Sequence, residues 1–192
     1  MRRTPEGMRR AAIVLAALAV VLSLSGCFAD DEPVPTTTPV PSATPIFATE
    51  EEALAAAEEA YKAYLELSDE VGAEGGHGVD RLIPYVTEGQ LEDERQSFKE
   101  YEAEGISTRG STGLVEFQLQ QAPISEMGVT KLFAYACLDA SEIRVFDKNG
   151  AELSTPNKPE KQTFQVDFEL RPEVADQFLL NGMEIWDGEG IC

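Results

Sequence analysis

Near Gly105 the apolar residues of this chain change their spacing, and that change restricts the folds open to it. Upstream, Leu54, Ala57, Tyr61, Tyr64 and Leu65 recur at intervals of three or four residues, as on one buried face of an α-helix. Thr49 followed by Glu52 is a capping box, and Glu50, Glu51 and Glu52 suit the positive end of a helix dipole. The spacing predicts a helix from Thr49 to about Ser68. Gly72, Gly75, Gly76 and Gly78 make residues 69–78 a loop, and a short turn from Val79 to Ile83 ends ahead of Pro84. Thr87, with Gln90 as reciprocal partner, caps a second helix. It runs through Leu91, Glu94, Phe98 and Tyr101 and stops at Gly105, a left-handed C-cap.

Downstream the period is two. Val115, Phe117 and Leu119 alternate with Glu116, Gln118 and Gln120. Leu132, Ala134, Ala136 and Leu138 alternate with Phe133, Tyr135, Cys137 and Asp139, and Phe164, Val166, Phe168 and Leu170 alternate with Gln165, Asp167 and Glu169. Each set predicts a strand with one buried face. Ile143 to Phe146 leads into Asn149-Gly150, a strong hairpin signal, and Phe178 to Trp186 forms a last strand. Helices followed by a run of antiparallel strands make an α+β arrangement, N-terminal helices packed on a sheet that wraps them. Residues 48–192, about 145 of them, suffice for one domain with a sizeable core.

The front of the chain is built differently. Arg2, Arg3, Arg9 and Arg10 precede an apolar run from Ala11 to Gly26, which ends in Leu24-Ser25-Gly26-Cys27. A basic segment, a short apolar core and a small-residue cleavage site are the parts of a secretory signal. The aliphatic-small-Gly-Cys spelling resembles a bacterial lipobox, in which Cys27 is diacylated and the chain is cut just before it. A membrane-spanning helix is the competing reading, but the run falls short of the roughly 20 residues a bilayer core requires. The expected organisation is therefore a lipoprotein signal peptide over 1–26, then a lipidated Cys27 and disordered tether over 27–47, then the α+β domain over 48–192. Met1 or Met8 could start the chain, with no effect on the mature protein. The arginine pairs lack the residues that usually follow in twin-arginine export signals. In the tether Pro33, Pro35, Pro39, Pro41 and Pro45 are interleaved with threonines, which favours extended polyproline II. About 18 such residues at roughly 3 Å each could hold the domain some 50 Å from a membrane.

The chain carries 15 basic and 35 acidic residues, a formal net charge of −20. The segment before Cys27 takes four arginines and one glutamate with it, leaving 11 basic and 34 acidic residues and a charge of −23. That balance argues against nucleic acid, which needs a basic footprint, and against a protein face lying on anionic lipid. Membrane attachment would then rest on the acyl chains of Cys27. Acidity also suits solubility at a crowded surface, or a cationic partner or Ca²⁺. With Cys27 lipidated, Cys137 and Cys192 remain as an even pair, for which a disulfide is the default in an oxidising compartment. It would close a loop of about 56 residues and contribute about 4 kcal/mol through chain entropy. Two thiols at a reactive or metal site are the alternative, without a nearby His or a Cys-x-x-Cys spacing to support it.

Three stretches carry a resemblance: Asp80 to Thr87; Tyr135 to Asp139 with Arg144 to Asp147; and the ending Trp186 to Cys192. They resemble small lipoproteins of high-GC Gram-positive bacteria that look like members of the nuclear-transport-factor/ketosteroid-isomerase superfamily. The resemblance spans roughly Thr49 to Cys192. It implies a curved sheet folded as a cone around a long helix, a cavity at the mouth of the cone, and a Cys137–Cys192 bridge. The superfamily hosts isomerases, cyclases, hydrolases and non-catalytic binding domains, so it leaves function open.

An enzyme on such a cone places an Asp, often with a His or Tyr, inside the cavity. The single His77 sits in a glycine loop and reads as exposed. Asp139 is the best carboxylate candidate, although strand-end Asp is ordinarily a turn residue. Tyr61 and Tyr135 are candidate cavity residues, against the plain alternative of core aromatics. Asp147-Lys148-Asn149-Gly150 lacks the ligand ladder of a Ca²⁺ loop, and no phosphate loop, nucleophile elbow or zinc-ligand cluster occurs. The expectation is thus no catalytic constellation, no metal and no cofactor. The chain reads as a membrane-anchored extracytoplasmic module that binds a small apolar ligand or an envelope protein. Alternatives are a cone enzyme acting on a small apolar substrate and a phage-encoded surface-exclusion lipoprotein.

Overall fold

The computed structural model describes residues 46–156 and 158–192; the expected signal peptide, Cys27 and almost all of the expected tether lie outside the described residues. Helix α1 (Glu50–Ala73) begins at the expected cap, Thr49, with the Glu52 side chain reaching back one residue beyond it. The Glu52 amide donates to Thr49 Oγ1 at 3.1 Å, and the Ala48 amide donates to Glu52 Oε2 at 2.8 Å. α1 continues past Ser68 because Gly72 is a close-approach residue rather than a helix breaker. A Cβ on it would lie 2.6 Å from Thr108 Oγ1. The helix closes instead on Gly75 and Gly76, both at positive φ, where only glycine is unstrained.

A single 3₁₀ turn (Val79–Leu82) leads to α2 (Glu88–Glu104), capped by Thr87 and ended by Gly105 at φ 67°. The reciprocal half of that cap is absent. Gln90 turns inward to donate to Glu94 at 2.9 Å, and the Thr87 hydroxyl donates to Asn181 Oδ1 at 3.1 Å.

Among the described residues seven strands follow: β1 (Ser107–Arg109), β2 (Gly113–Glu126), β3 (Val129–Asp139), β4 (Arg144–Phe146), β5 (Glu152–Leu153), β6 (Lys161–Leu170) and β7 (Leu179–Ile185). They form a four-stranded antiparallel sheet, β2-β3-β6-β7, and a small antiparallel sheet, β1-β4-β5. The domain is therefore α+β, with its helices ahead of its main sheet. β1 leaves no alternation signal in the sequence, since three residues are too few to show one. The β4–β5 hairpin closes through residues 147–151, a wider turn than a two-residue Asn-Gly loop. Asp147 Oδ1 accepts from the amides of Asn149 and Ala151, each at 2.8 Å.

One strand departs from the expected alternation. β2 slips register against β3 between Leu114 and Glu116, and again on either side of Gln121. The first slip turns Leu114 toward the core and leaves Val115 53% exposed, so Val115 is not the core residue its spacing suggested. Bulges of this kind bend a strand and raise its twist.

The core lies between α1, α2 and one face of the main sheet. Leu132, Ala134 and Ala136 of β3 and Val166 and Phe168 of β6 are fully covered, and Ala57 and Tyr61 of α1 pack with them. The small alanines let the helix approach. Tyr61 supplies the volume: its ring stacks on Tyr64 at 5.9 Å and meets Phe168 edge-on at 5.7 Å. Its hydroxyl donates to Met183 Sδ at 3.2 Å. Glu94 is the buried carboxylate of this interface, accepting from the Tyr64 hydroxyl at 2.6 Å and from Gln90. Burial, and then the negative charge of Glu94, push the Tyr64 hydroxyl well above its ordinary pKa.

On the outer face of the sheet, Glu169 lies between Lys131, at 3.1 Å, and Arg171, at 2.7 Å. Burial opposes its charge, but the two cations outweigh it and hold its carboxyl below the ordinary glutamate value.

Two predictions follow from these carboxylates. Glu94→Gln keeps an oxygen for both donors and removes a buried charge, so its stability in urea should stay within about 1 kcal/mol of the parent. Glu94→Leu orphans the Tyr64 hydroxyl and the Gln90 amide and should cost about 2–3 kcal/mol. For Glu169 the folded pKa lies below the unfolded one, so its contribution is present above the unfolded value of about 4.3 and fades as pH falls through the folded one. Glu169→Gln should therefore lower stability by about 1–2 kcal/mol at pH 7, and thermal melts of the two proteins should draw together as pH falls below the unfolded value and through the lower folded one.

Candidate functional site

The structure joins Cys137 to Cys192 in a disulfide, with Cα atoms 5.2 Å apart. Strand alternation places this bridge on the outer face of the main sheet, away from the helices, because Ala136 and Leu138 take the inner face. The chain after β7 turns back across that face. The Trp186 amide donates to the Thr163 carbonyl at 3.0 Å, and the Ile191 amide donates to Thr163 Oγ1 at 3.2 Å. The Trp186 ring lies against Tyr135, with centroids 5.0 Å apart, while its indole N–H donates to the Glu189 carbonyl at 3.0 Å. Gly190 permits the contact: a Cβ there would sit 2.6 Å from Thr163 Oγ1.

The three residues considered for a cavity are not brought together. Tyr61 is fully buried in the helix-facing core, where packing raises the pKa of its hydroxyl above the ordinary tyrosine value. Tyr135 is on the opposite face of β3, under Trp186, accepting from Gln120 Nε2 at 2.9 Å. Asp139 ends β3 as a turn residue. It accepts from the Ser141 amide at 2.9 Å and lies 3.8 Å from Lys161. The Ser141 hydrogen bonds, then the Lys161 charge, hold its carboxyl below the ordinary aspartate value, which suits an ionised capping group rather than a proton donor at neutral pH. Tyr61, Tyr135 and Asp139 thus lie in three separate environments. His77 is exposed and lies 3.0 Å from Glu102. Among the described residues no group of three or more His, Cys, Asp and Glu side chains is placed to hold a metal ion.

A concave surface lies elsewhere. Between the last turns of α1 and the start of β2 is an open cleft of about 540 Å³, with Lys62, Leu65, Glu66, Glu70, Thr112 and Leu114 among its lining. Leu65 and Leu114 give it an apolar floor, and Glu66 and Glu70 an acidic rim. Asp69 fixes its shape by accepting from the Thr112 amide at 2.6 Å and the Thr112 hydroxyl at 2.9 Å, which ties the loop to the helix. No local motif announces this cleft. Its walls are some forty positions apart in sequence, and its helical acids sit where solvated positions of an amphipathic helix belong.

No protein-family model and no curated protein sequence matches the chain. Among solved structures it is similar to the intermembrane space region of the chloroplast protein ARC6, at 9% identity and a TM-score of 0.47, over 69% of this chain and 95% of that one. It is also similar to a de novo β-sheet design solved by NMR, at 12% identity and a TM-score of 0.28, over 73% of this chain and 92% of that one.

Proposed function

We propose that the protein is a lipid-anchored extracytoplasmic lipoprotein with a non-catalytic binding domain. The observation that carries this reading is the Cys137–Cys192 bridge, since disulfides form and persist in oxidising compartments. With two of the three cysteines joined to each other, Cys27 is the third, at the end of an apolar run and inside a lipobox spelling. The separation of Tyr61, Tyr135 and Asp139 supports binding rather than catalysis, because general acid–base work needs groups converging on one substrate position.

The finer architecture proposed is a nuclear-transport-factor-like cone. The helix-then-sheet order, the bulged β2 and the packing of α1 along the inner face of the sheet support it. The α1–β2 cleft offers a volume in the range of small-molecule sites, and a small ligand with an apolar body or a segment of an envelope protein suits its floor. Under this reading labelled palmitate enters the wild-type protein in an expressing bacterium and is absent from Cys27→Ala. Equal labelling of the two would overturn the anchor.

A further inference from the structure

The fold makes unequal use of its two half-cystines. Cys137 is fully buried, yet it stands apart from the cluster of core residues that joins the helices to the sheet. The strap of residues 186–192 lies against its neighbours Tyr135 and Thr163 and is bridged to it, and Cys192 at the end of that strap is exposed. Asp187, Gly188, Glu189 and Gly190 are exposed as well, so the strap is held by the bridge, the Trp186–Tyr135 contact and the hydrogen bonds to Thr163.

We propose that this strap is a redox-releasable cover over the outer face of the sheet. A dithiol reductant, small-molecule or protein, attacks with one thiolate at Cys192 Sγ, the half-cystine on the open side. The S–S bond breaks, and Cys137 leaves as a thiolate and takes up a proton. The second thiol of the reductant then attacks its own sulfur in the mixed disulfide and expels Cys192 as the second thiolate. The reductant ends as a disulfide, the protein as a dithiol, and two electrons with two protons have moved between them. Released, the strap uncovers Tyr135, Thr163 and the Cys137 thiol, while α1, α2 and the inner face of the sheet keep every contact of their core. This device goes beyond the binding reading above and does not depend on acylation of Cys27.

Trp186 is the only tryptophan of the chain, so its emission reports the strap directly. The full-length protein is titrated with dithiothreitol, alkylated cysteines are assigned by peptide mass spectrometry, and Trp186 emission is followed beside far-ultraviolet circular dichroism. Cys137 and Cys192 should both become alkylated while the dichroism of the fold is unchanged, and Trp186 emission should move red toward its value in the denatured chain. Cys192→Ser should show the same red-shifted emission and a folded dichroism spectrum without reductant. Alkylation that advances only as the dichroism is lost overturns the proposal, because the bridge then holds the whole fold. A Cys192→Ser chain that fails to fold does the same. Complete alkylation with unmoved Trp186 emission also overturns it, because the strap then stays docked without the bridge.

Discussion

The packing of Tyr61 against the sheet is the contact on which the rest of the domain depends. Its ring meets Tyr64 on its own helix, Phe117 on β2 and Phe168 on β6, and its hydroxyl reaches Met183 on β7. One side chain thus ties α1 to three of the four strands of the main sheet. Aromatic groups supply the largest apolar areas in a core, and edge-on contacts add to that burial. The alanines around it complement that bulk. Ala53, Ala57, Ala134 and Ala136 are almost wholly buried and leave room for a ring that larger neighbours would displace. The bend of β2 follows from the same demand, since its bulges bring Phe117 onto Tyr61 while Val115 is left outside.

With one face of the sheet closed by helices, the other has to be closed by something else. Lys131, Glu169 and Arg171 cover one end by charge, and the C-terminal strap covers the other by Trp186 and the disulfide. This division explains why β3 looks so apolar in sequence. Its inner face is Leu132, Ala134, Ala136 and Leu138, while its outer face is Phe133, Tyr135 and Cys137, and both faces are buried or half-buried. A strand covered on both sides loses the clean alternation of a half-solvated one.

What could be read from the chain in advance was what neighbouring residues decide among themselves. The Thr49–Glu52 cap, the Gly105 stop and the period-two runs of β3 and β6 depend on residues a few places apart, and each has its structural counterpart. The pairing of Cys137 with Cys192 was legible from the cysteine count and the resemblance. What was illegible depended on distant partners. Gly72 reads as a breaker until Thr108 arrives beside it, and Gln90 reads as half of a cap until Glu94 claims its side chain. Val115 keeps perfect alternation in sequence and is turned out by a bulge against β3. The cleft is illegible in sequence for the same reason: Asp69 and Thr112 become neighbours only after the sheet is folded.

Cations are scarce in so acidic a chain, and where they sit shows what they are for. Arg81, in the 3₁₀ turn, faces Glu70 and Glu74 at the end of α1. Arg95, on α2, reaches back to Asp80 in that same turn through both Nε and Nη2, at 2.9 and 2.7 Å. The turn is thereby tied to the helix on either side by one arginine each. Exposed ion pairs of this kind are worth about 0–1 kcal/mol apiece, too little to account for stability beside a core of aromatic side chains. Their geometry is another matter. The paired turn ends at Pro84 and delivers Tyr85 and Thr87 to the backbone of Leu180 at 2.9 Å each, which covers part of the β7 edge and sets where α2 begins. Arginine, whose planar fork fixes direction as well as charge, is the residue suited to a junction whose contribution is orientation.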